Sequence, residues 1–395
     1  MVVMKLRMAA VGGDPEAQYQ LGLQFGDTDD GAENSAHWFL KAAEQGHALA
    51  QFNLGLMYSS GEGIARDDER AIFWYRKAAE NGYARAQFNL GLIFSRAGAQ
   101  QNVMQALAWY NKAAEQGHSG AQNNIGLLYI TGQGMPRDYR KAISWFEKAA
   151  ATGDAAAQNN LGMIYVNGKD LPADYPRAIS WFGKAAEQGY AGAFYNLGLL
   201  FEAGNGVAID HAKAIQWYLG AAQKAHVKAQ YSLALLYESG LDEVRNPAQA
   251  AHWYKKAALQ NHIAACYKLG QCYDEGTGVT EDGPSALEWY RKAALGGHAD
   301  AQFMLALRYD NGQDVAQNQG EALAWYRKAA AQDNVRAQFN LGLMFAYGHG
   351  TEVDLVQAHN WLTAAADHGI EKASRYKYLV EAKMSREQLE QVRPA

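Results

Sequence analysis

Small, aliphatic and aromatic residues recur along this chain at helical spacing, and the pattern restarts every 36 residues or so. In the stretch Ala50–Gly82 the first stripe is Ala50, Leu54, Gly55 and Tyr58, at offsets 0, 4, 5 and 8. Those offsets share one face of an α-helix. A second stripe follows at Ala71, Trp74, Tyr75 and Ala78, with a glycine-containing loop between the two. Each unit is therefore expected to be a helix, a short turn and a second helix. Aligned on the small residue, the unit begins at Ala17, Ala50, Ala86, Ala121, Ala157, Ala193, Ala229, Ala265, Ala301 and Ala337, which number repeats 1 to 10. The ten tryptophans, from Trp38 to Trp361, keep the same beat, with gaps of 36, 35 and then seven more of 36. A chain of 395 residues would otherwise suggest two or three unrelated domains; this regularity predicts a repeat array instead.

The polar positions punctuate the helices. Seventeen residues after most alignment alanines stand Asp67, Asp138, Asp174, Asp210, Asn246, Asp282, Asn318 and Asp354. A carboxylate or amide there can accept from the unpaired N–H groups that open the second helix. Pro247 follows Asn246 at the one helical position that tolerates proline. The second helix is expected to stop at Gly46, Gly82, Gly117, Gly153, Gly189, Gly297 and Gly369, with Asn261 in the same place. Lysines one turn earlier, such as Lys41, Lys148 and Lys292, suit the negative helix end.

Together these residues spell A-Q-x-N-L-G-x-x-Y-x-x-G-x-G, then D-x-x-K-A-x-x-W-Y-x-K-A-A-x-x-G. The pattern resembles the Sel-one-like repeat, a relative of the tetratricopeptide repeat, and covers roughly residues 6–372 in ten complete copies. The resemblance implies an all-α, right-handed superhelical solenoid of about ten helix-turn-helix repeats. Departures are local: Ala234 and Ala306 replace the helix glycine, Gly220 replaces the lysine, and the first and third loops are short. Residues 1–16 read as a partial repeat or N-terminal cap, 17–372 as the repeats, and 373–395 as closing helices, with Ser385 and Gln388 forming a capping box. If an upstream leader has been removed, the compartment is periplasmic; if the chain is complete, it is cytoplasmic.

The tryptophans and the offset-8 aromatics are expected to fill the continuous core between repeats. By resemblance, offsets 2, 3, 6, 9 and 10 of each first helix line the concave groove. Offset 3 carries Asn53, Asn89, Asn124, Asn160, Asn196 and Asn340. An asparagine row can clasp the backbone of an extended peptide, or bond the neighbouring helix and hold the stack. Offset 9 turns acidic in four successive repeats, at Glu202, Glu238, Asp274 and Asp310. These are either an acidic strip that favours a basic partner or ordinary solvated carboxylates. Offset 2 is often aromatic, as at Tyr195, Tyr231 and Tyr267.

Chemistry is sparse. The net charge of −5 lacks the basic footprint of a nucleic-acid binder, and no run of 18 apolar residues spans a membrane. His47, His118, His226, His262 and His298 each precede an alignment alanine by three. They are too far apart to share one zinc and are expected to pack at the turns. The Gly-x-Gly loops lack the strand and Lys-Ser/Thr of a phosphate loop. No catalytic residue, metal site or cofactor is expected. The partner implied is another protein or extended peptide, basic where the acidic residues lie, held by a non-catalytic adaptor or scaffold. The family resemblance also implies an alternative, an immunity protein that neutralises a secreted antibacterial effector such as a lipase. A third reading, an enzyme of β-lactamase type, is weakened because the paired cysteines of those family members are missing; Cys266 and Cys272 are the only two.

Overall fold

The computed structural model describes residues 2–26, 31–96, 100–167, 172–240 and 244–392. Among them are 23 α-helices and no strands. Each repeat supplies two helices, for example Ala48–Ser60 and Asp68–Glu80 in repeat 2, or Val227–Ser239 and Pro247–Leu259 in repeat 7. The fold is thus an all-α solenoid of ten helix-turn-helix repeats. It divides into two units, residues 1–193 and 194–395.

Local chemistry explains the helix boundaries. Asp67, Asp138, Asp174, Asp210, Asn246, Asp282, Asn318 and Asp354 all cap second helices, each accepting from the backbone N–H three residues on at 2.9–3.2 Å. The cap residue's own N–H donates to the carbonyl of the offset-8 aromatic, as from Asp67 to Tyr58 at 2.9 Å and from Asn246 to Tyr237 at 2.8 Å. One residue therefore starts the second helix and ties it to the end of the first. Second helices end in a left-handed residue, glycine at Gly82 (φ 85°) but Asn261 (φ 62°), Ala225 (φ 59°) and Asp333 (φ 59°) elsewhere. The alanine and aspartate carry the strain that glycine avoids.

The core differs from the sequence expectation. The ring at the centre of nine repeats belongs to the residue after the tryptophan: Phe39, Tyr75, Tyr110, Phe146 and Phe182 in the first unit, then Tyr218, Tyr254, Tyr290 and Tyr326, with Leu362 in the same place in repeat 10. These rings sit at 5% exposure or less, and seven of them lie on the offset-5 glycine of their own first helix; Ala234 and Ala306 hold that position in the helices paired with Tyr254 and Tyr326. A Cβ on Gly162 would stand 2.5 Å from the Phe182 ring, and one on Gly198 would stand 2.4 Å from Tyr218. The glycine is there to seat the ring. One residue earlier is about 100° around the helix, so the indoles sit half-buried beside the core, and only Trp253 and Trp325 fall to 9% exposure. The lysine three residues on lies over the indole face, at 4.2 Å for Lys148 on Trp145 and 3.8 Å for Lys328 on Trp325, a cation–π contact. The offset-8 aromatics are likewise mostly half-buried, with Phe345 an exception at 5%.

A buried glutamine at offset 1 joins successive helices. Gln51 donates to the Ala43 carbonyl at 3.0 Å and Gln230 to that of Ala222 at 3.1 Å, in each case capping the preceding repeat's second helix. Its oxygen then accepts from an amide at the end of its own repeat, Asn81 to Gln51 at 3.0 Å and Gln260 to Gln230 at 2.8 Å. Where Thr152 and His368 occupy the donor position, the Oε1 atoms of Gln122 and Gln338 are buried without a partner. After the last repeat, His359 Nε2 meets Glu381 at 2.9 Å, and Ser385 and Gln388 exchange hydrogen bonds at 2.9 and 3.2 Å.

Candidate protein-binding face

First helices bury offsets 0, 1, 4, 5 and 7 and leave offset 6 outward. That position is aliphatic in nine repeats, at Leu23, Leu56, Leu92, Leu127, Met163, Leu199, Leu235, Leu307 and Leu343, with Gln271 as the exception. Leu23, Leu56, Leu127, Met163 and Leu199 are 38–43% exposed, and the others are half-buried. Each unit thus carries an aliphatic row that shares its helical face with the offset-3 and offset-9 positions. The resemblance already places offset 6 in the groove, and its constancy is the sequence signal for the row, although the individual residues named from the sequence lie at offsets 3 and 9.

The asparagine row is engaged inside the protein. Asn124 donates to the Tyr110 hydroxyl at 3.2 Å, Asn340 to that of Tyr326 at 2.9 Å, and Asn160 to Asn123 Oδ1 at 2.9 Å. Asn53 and Asn89 face the Tyr19 and Tyr75 hydroxyls, and Asn196 is engaged as well. A single such bond leaves an amide with donor and acceptor capacity to spare, so tethering orients the row without exhausting it.

All four acidic residues accept from the buried tyrosine of their own repeat. Tyr254 donates to Glu238 at 2.6 Å, Tyr290 to Asp274 at 3.1 Å and Tyr326 to Asp310 at 3.5 Å, and Tyr218 donates to Glu202. Burial, and secondarily the adjacent carboxylate, raises the phenol pKa of Tyr218, Tyr254 and Tyr290 well above the ordinary tyrosine range. The two positions change together along the chain. Where the core ring is Tyr75 or Tyr110, offset 9 is Ser59 or Ser95; where it is Phe146 or Phe182, offset 9 is Ile130 or Val166. A buried hydroxyl requires an acceptor, and a phenylalanine releases its neighbour from that duty.

Two of the four carboxylates also hold a cation. Lys268, which interrupts the asparagine row, reaches Glu238 at 3.0 Å. Arg308, only 2% exposed, binds Asp274 and Asp314. Arg308 occupies offset 7, where Met57, Leu128, Leu236 and Met344 fill the core. Asp314 stands where other loops have a second glycine and keeps a positive φ of 58°. It has room because Gly283 faces it; a Cβ there would lie 2.3 Å from Asp314 Oδ1. The acidic strip is therefore charge-compensated in its middle, and Glu202 and Asp310 form no ion pair among the described residues.

Other candidate chemistry resolves into structure. The histidines before the alignment alanines cap first helices, as His226 Nδ1 accepts from the Ala229 N–H at 3.2 Å. The Gly-x-Gly loops place both glycines at positive φ, for example Gly61 at 80° and Gly63 at 70°. A Cβ on Gly63 would lie 2.4 Å from the Ala32 carbonyl, so this glycine serves close packing. Cys266 and Cys272 are free and buried, and burial raises the Cys272 thiol to about 11. Among the described residues no group of His, Cys, Asp or Glu could hold a metal ion, and no helix is long and apolar enough to cross a membrane.

The Sel1 repeat model matches ten successive segments, from 15–47, 48–83 and 84–118 through to 299–334 and 335–370. The chain belongs to the Sel1 repeat family. Sel1 repeats generally serve as non-catalytic protein-interaction modules. No curated protein matches the sequence. Among solved structures, a Sel1 repeat protein from Oxalobacter formigenes is 31% identical over 82% of this chain and 93% of its own, with a TM-score of 0.59. A protective antigen present in uropathogenic Escherichia coli strains, displaying an SLR fold, is 32% identical over 98% of this chain and 92% of its own, with a TM-score of 0.51. The immunity protein Pa5087 from Pseudomonas aeruginosa is 24% identical over 53% of this chain and 81% of its own, with a TM-score of 0.37.

Proposed function

We propose that this Sel1 repeat protein is a non-catalytic adaptor or scaffold that binds an extended segment of another protein along its first helices. The observation that carries the reading is the outward aliphatic row at offset 6. It supplies one apolar contact in nine of the ten repeats, on helices whose other outward positions are largely polar. Repeated, solvent-facing apolar side chains of this kind mark interaction surfaces. The amides at Asn53, Asn89, Asn124, Asn160, Asn196 and Asn340 supply main-chain contacts to the bound segment. Glu202 and Asp310, which have no cationic partner among the described residues, favour basic residues in it, whereas Glu238 and Asp274 are already compensated.

The test uses the full chain as bait in an extract of its own cells, followed by titration of the purified captured protein. Glu202→Gln/Asp310→Asn removes both charges and keeps an acceptor for each tyrosine. Leu127→Glu/Met163→Glu places charge on the aliphatic row. The expected result is a partner whose affinity falls in both variants and, for the wild type, falls further with salt. Unchanged affinity in both variants overturns the first-helix reading. A single stoichiometric partner would favour a dedicated inhibitor of the immunity type, and several weak ones an adaptor.

A further inference from the structure

Five first helices begin on a histidine that must be neutral to do its work. The Nδ1 atoms of His47, His118, His226, His262 and His298 accept from the N–H of Ala50, Ala121, Ala229, Ala265 and Ala301 at 3.2–3.4 Å. That bond needs the Nδ1 lone pair, so the proton resides on Nε2. Each ring also lies against an aromatic of the preceding repeat, Tyr19, Phe88, Tyr195, Tyr231 and Tyr267, with centroids 4.4–4.9 Å apart. An imidazolium would lose the acceptor and add positive charge at the positive end of the helix dipole. The same register elsewhere uses groups that keep their acceptor in this pH range. Asp154 caps repeat 5 through the Ala157 N–H at 2.9 Å, and Asn334 caps repeat 10 through that of Ala337 at 3.0 Å.

We propose that the histidine caps of repeats 7, 8 and 9 form an acid-releasable segment, whose three first helices loosen together below the neutral range while repeats 5 and 10 hold. This goes beyond the binding reading and does not depend on any partner. The surroundings of the rings favour the neutral form. His226 and His262 both face Lys228, whose charge opposes protonation. His298 faces Asp300, which favours it, and His118 lies between Arg85 and Asp154, which act in opposite senses. Burial is the largest influence on these four and holds them below the ordinary histidine range. His47 is different, with Nε2 3.0 Å from Glu16, and is not included.

The direction follows from linkage. The unfolded chain takes up protons near the ordinary histidine value of about 6.5, before the folded caps do. The caps' contribution is therefore complete above that pH and is lost as pH falls through it toward the lower folded values. Hydrogen exchange on the full chain at about pH 7.5 and about pH 5.5, corrected for intrinsic rates, reads this repeat by repeat. The expected result is a loss of protection of about fivefold per cap at the starts of Val227–Ser239, Ile263–Glu275 and Ala299–Asn311. Ala155–Asn167 and Val335–Tyr347 should not change. The His226→Asn/His262→Asn/His298→Asn variant, built on the natural cap at Asn334, should lose the pH response. A uniform change in all five helices, or a response that persists in the variant, overturns the proposal. If the variant does not fold, the contrast between helices in the wild type decides it.

Discussion

The joint variation of core ring and offset-9 residue makes a double-mutant cycle at Tyr254 and Glu238 informative. Tyr254 is fully buried, and its hydroxyl donates to Glu238 at 2.6 Å. Lys268 of the next repeat donates to the same carboxylate and cannot accept a hydrogen bond. Tyr254→Phe removes one bond to a charged acceptor, yet leaves Glu238 with Lys268 and with solvent. Its cost should lie near the low end for such bonds, about 1.5 kcal/mol. Glu238→Val removes the same bond and strands a buried hydroxyl, which should cost about 2–3 kcal/mol. The double variant recreates the natural pairing of Phe182 with Val166 and leaves no buried hydroxyl in need of a partner, with Lys268 turning to solvent, so about 1 kcal/mol is expected. The coupling is then about 2.5–3.5 kcal/mol, well above the ~0.5 kcal/mol scatter of independent sites. Urea unfolding of the four proteins, followed by circular dichroism, measures it. If the two single costs simply add in the double variant, the pair is not a unit and the explanation of the sequence pattern fails.

Two further predictions use positions where the repeats disagree with one another. Thr152→Gln places an amide where Gln188 and Gln260 stand in other repeats, and should give the orphaned Gln122 oxygen a donor. Thermal unfolding should show a gain of about 1 kcal/mol, and no gain would mean that oxygen already has a partner. At the buried arginine, Arg308→Met/Asp314→Gly restores the Met57 and Gly63 arrangement of repeat 2, leaves Asp274 with Tyr290, and should change stability by less than about 1 kcal/mol. Asp314→Asn leaves a buried guanidinium short of a counter-charge and should cost about 3 kcal/mol; denaturant midpoints in the reverse order would refute that account.

Periodicity is enough to read the helices, their order and most of their caps, because a cap needs only one residue type at one register. Asp67 and its equivalents, and the left-handed Asn261, are legible for that reason. The tryptophans mislead because periodicity identifies a stripe but not its centre. Trp74 and Tyr75 are adjacent, and only the contact with Gly55 decides which one is the core. The fate of the carboxylates is legible in part. The Tyr/Glu and Phe/Val pairing lies in the sequence, but it becomes meaningful once offsets 9 and 25 are known to touch. Lys268 and Arg308 stand out as breaks in regular rows, yet their ion pairs cross from one repeat to the next, a distance that pattern alone does not close. The offset-6 aliphatics show a different limit: the resemblance places that position in the groove, but how far each side chain is open to solvent depends on the packing of the neighbouring repeats.

The half-buried indoles have a practical consequence in optical work. Each repeat holds one tryptophan at an equivalent place, and at Trp109, Trp145, Trp181, Trp289 and Trp325 a lysine ammonium sits 3.8–4.2 Å from the ring centre. The protein therefore carries intrinsic fluorophores evenly spaced along its sequence, and its emission samples every repeat. A fluorescence-detected melt reports on repeats throughout the array, whereas a probe in a single core would register only one event. Replacing one indole by phenylalanine would subtract one repeat from that signal, so the order in which repeats open can be read by difference without an added label.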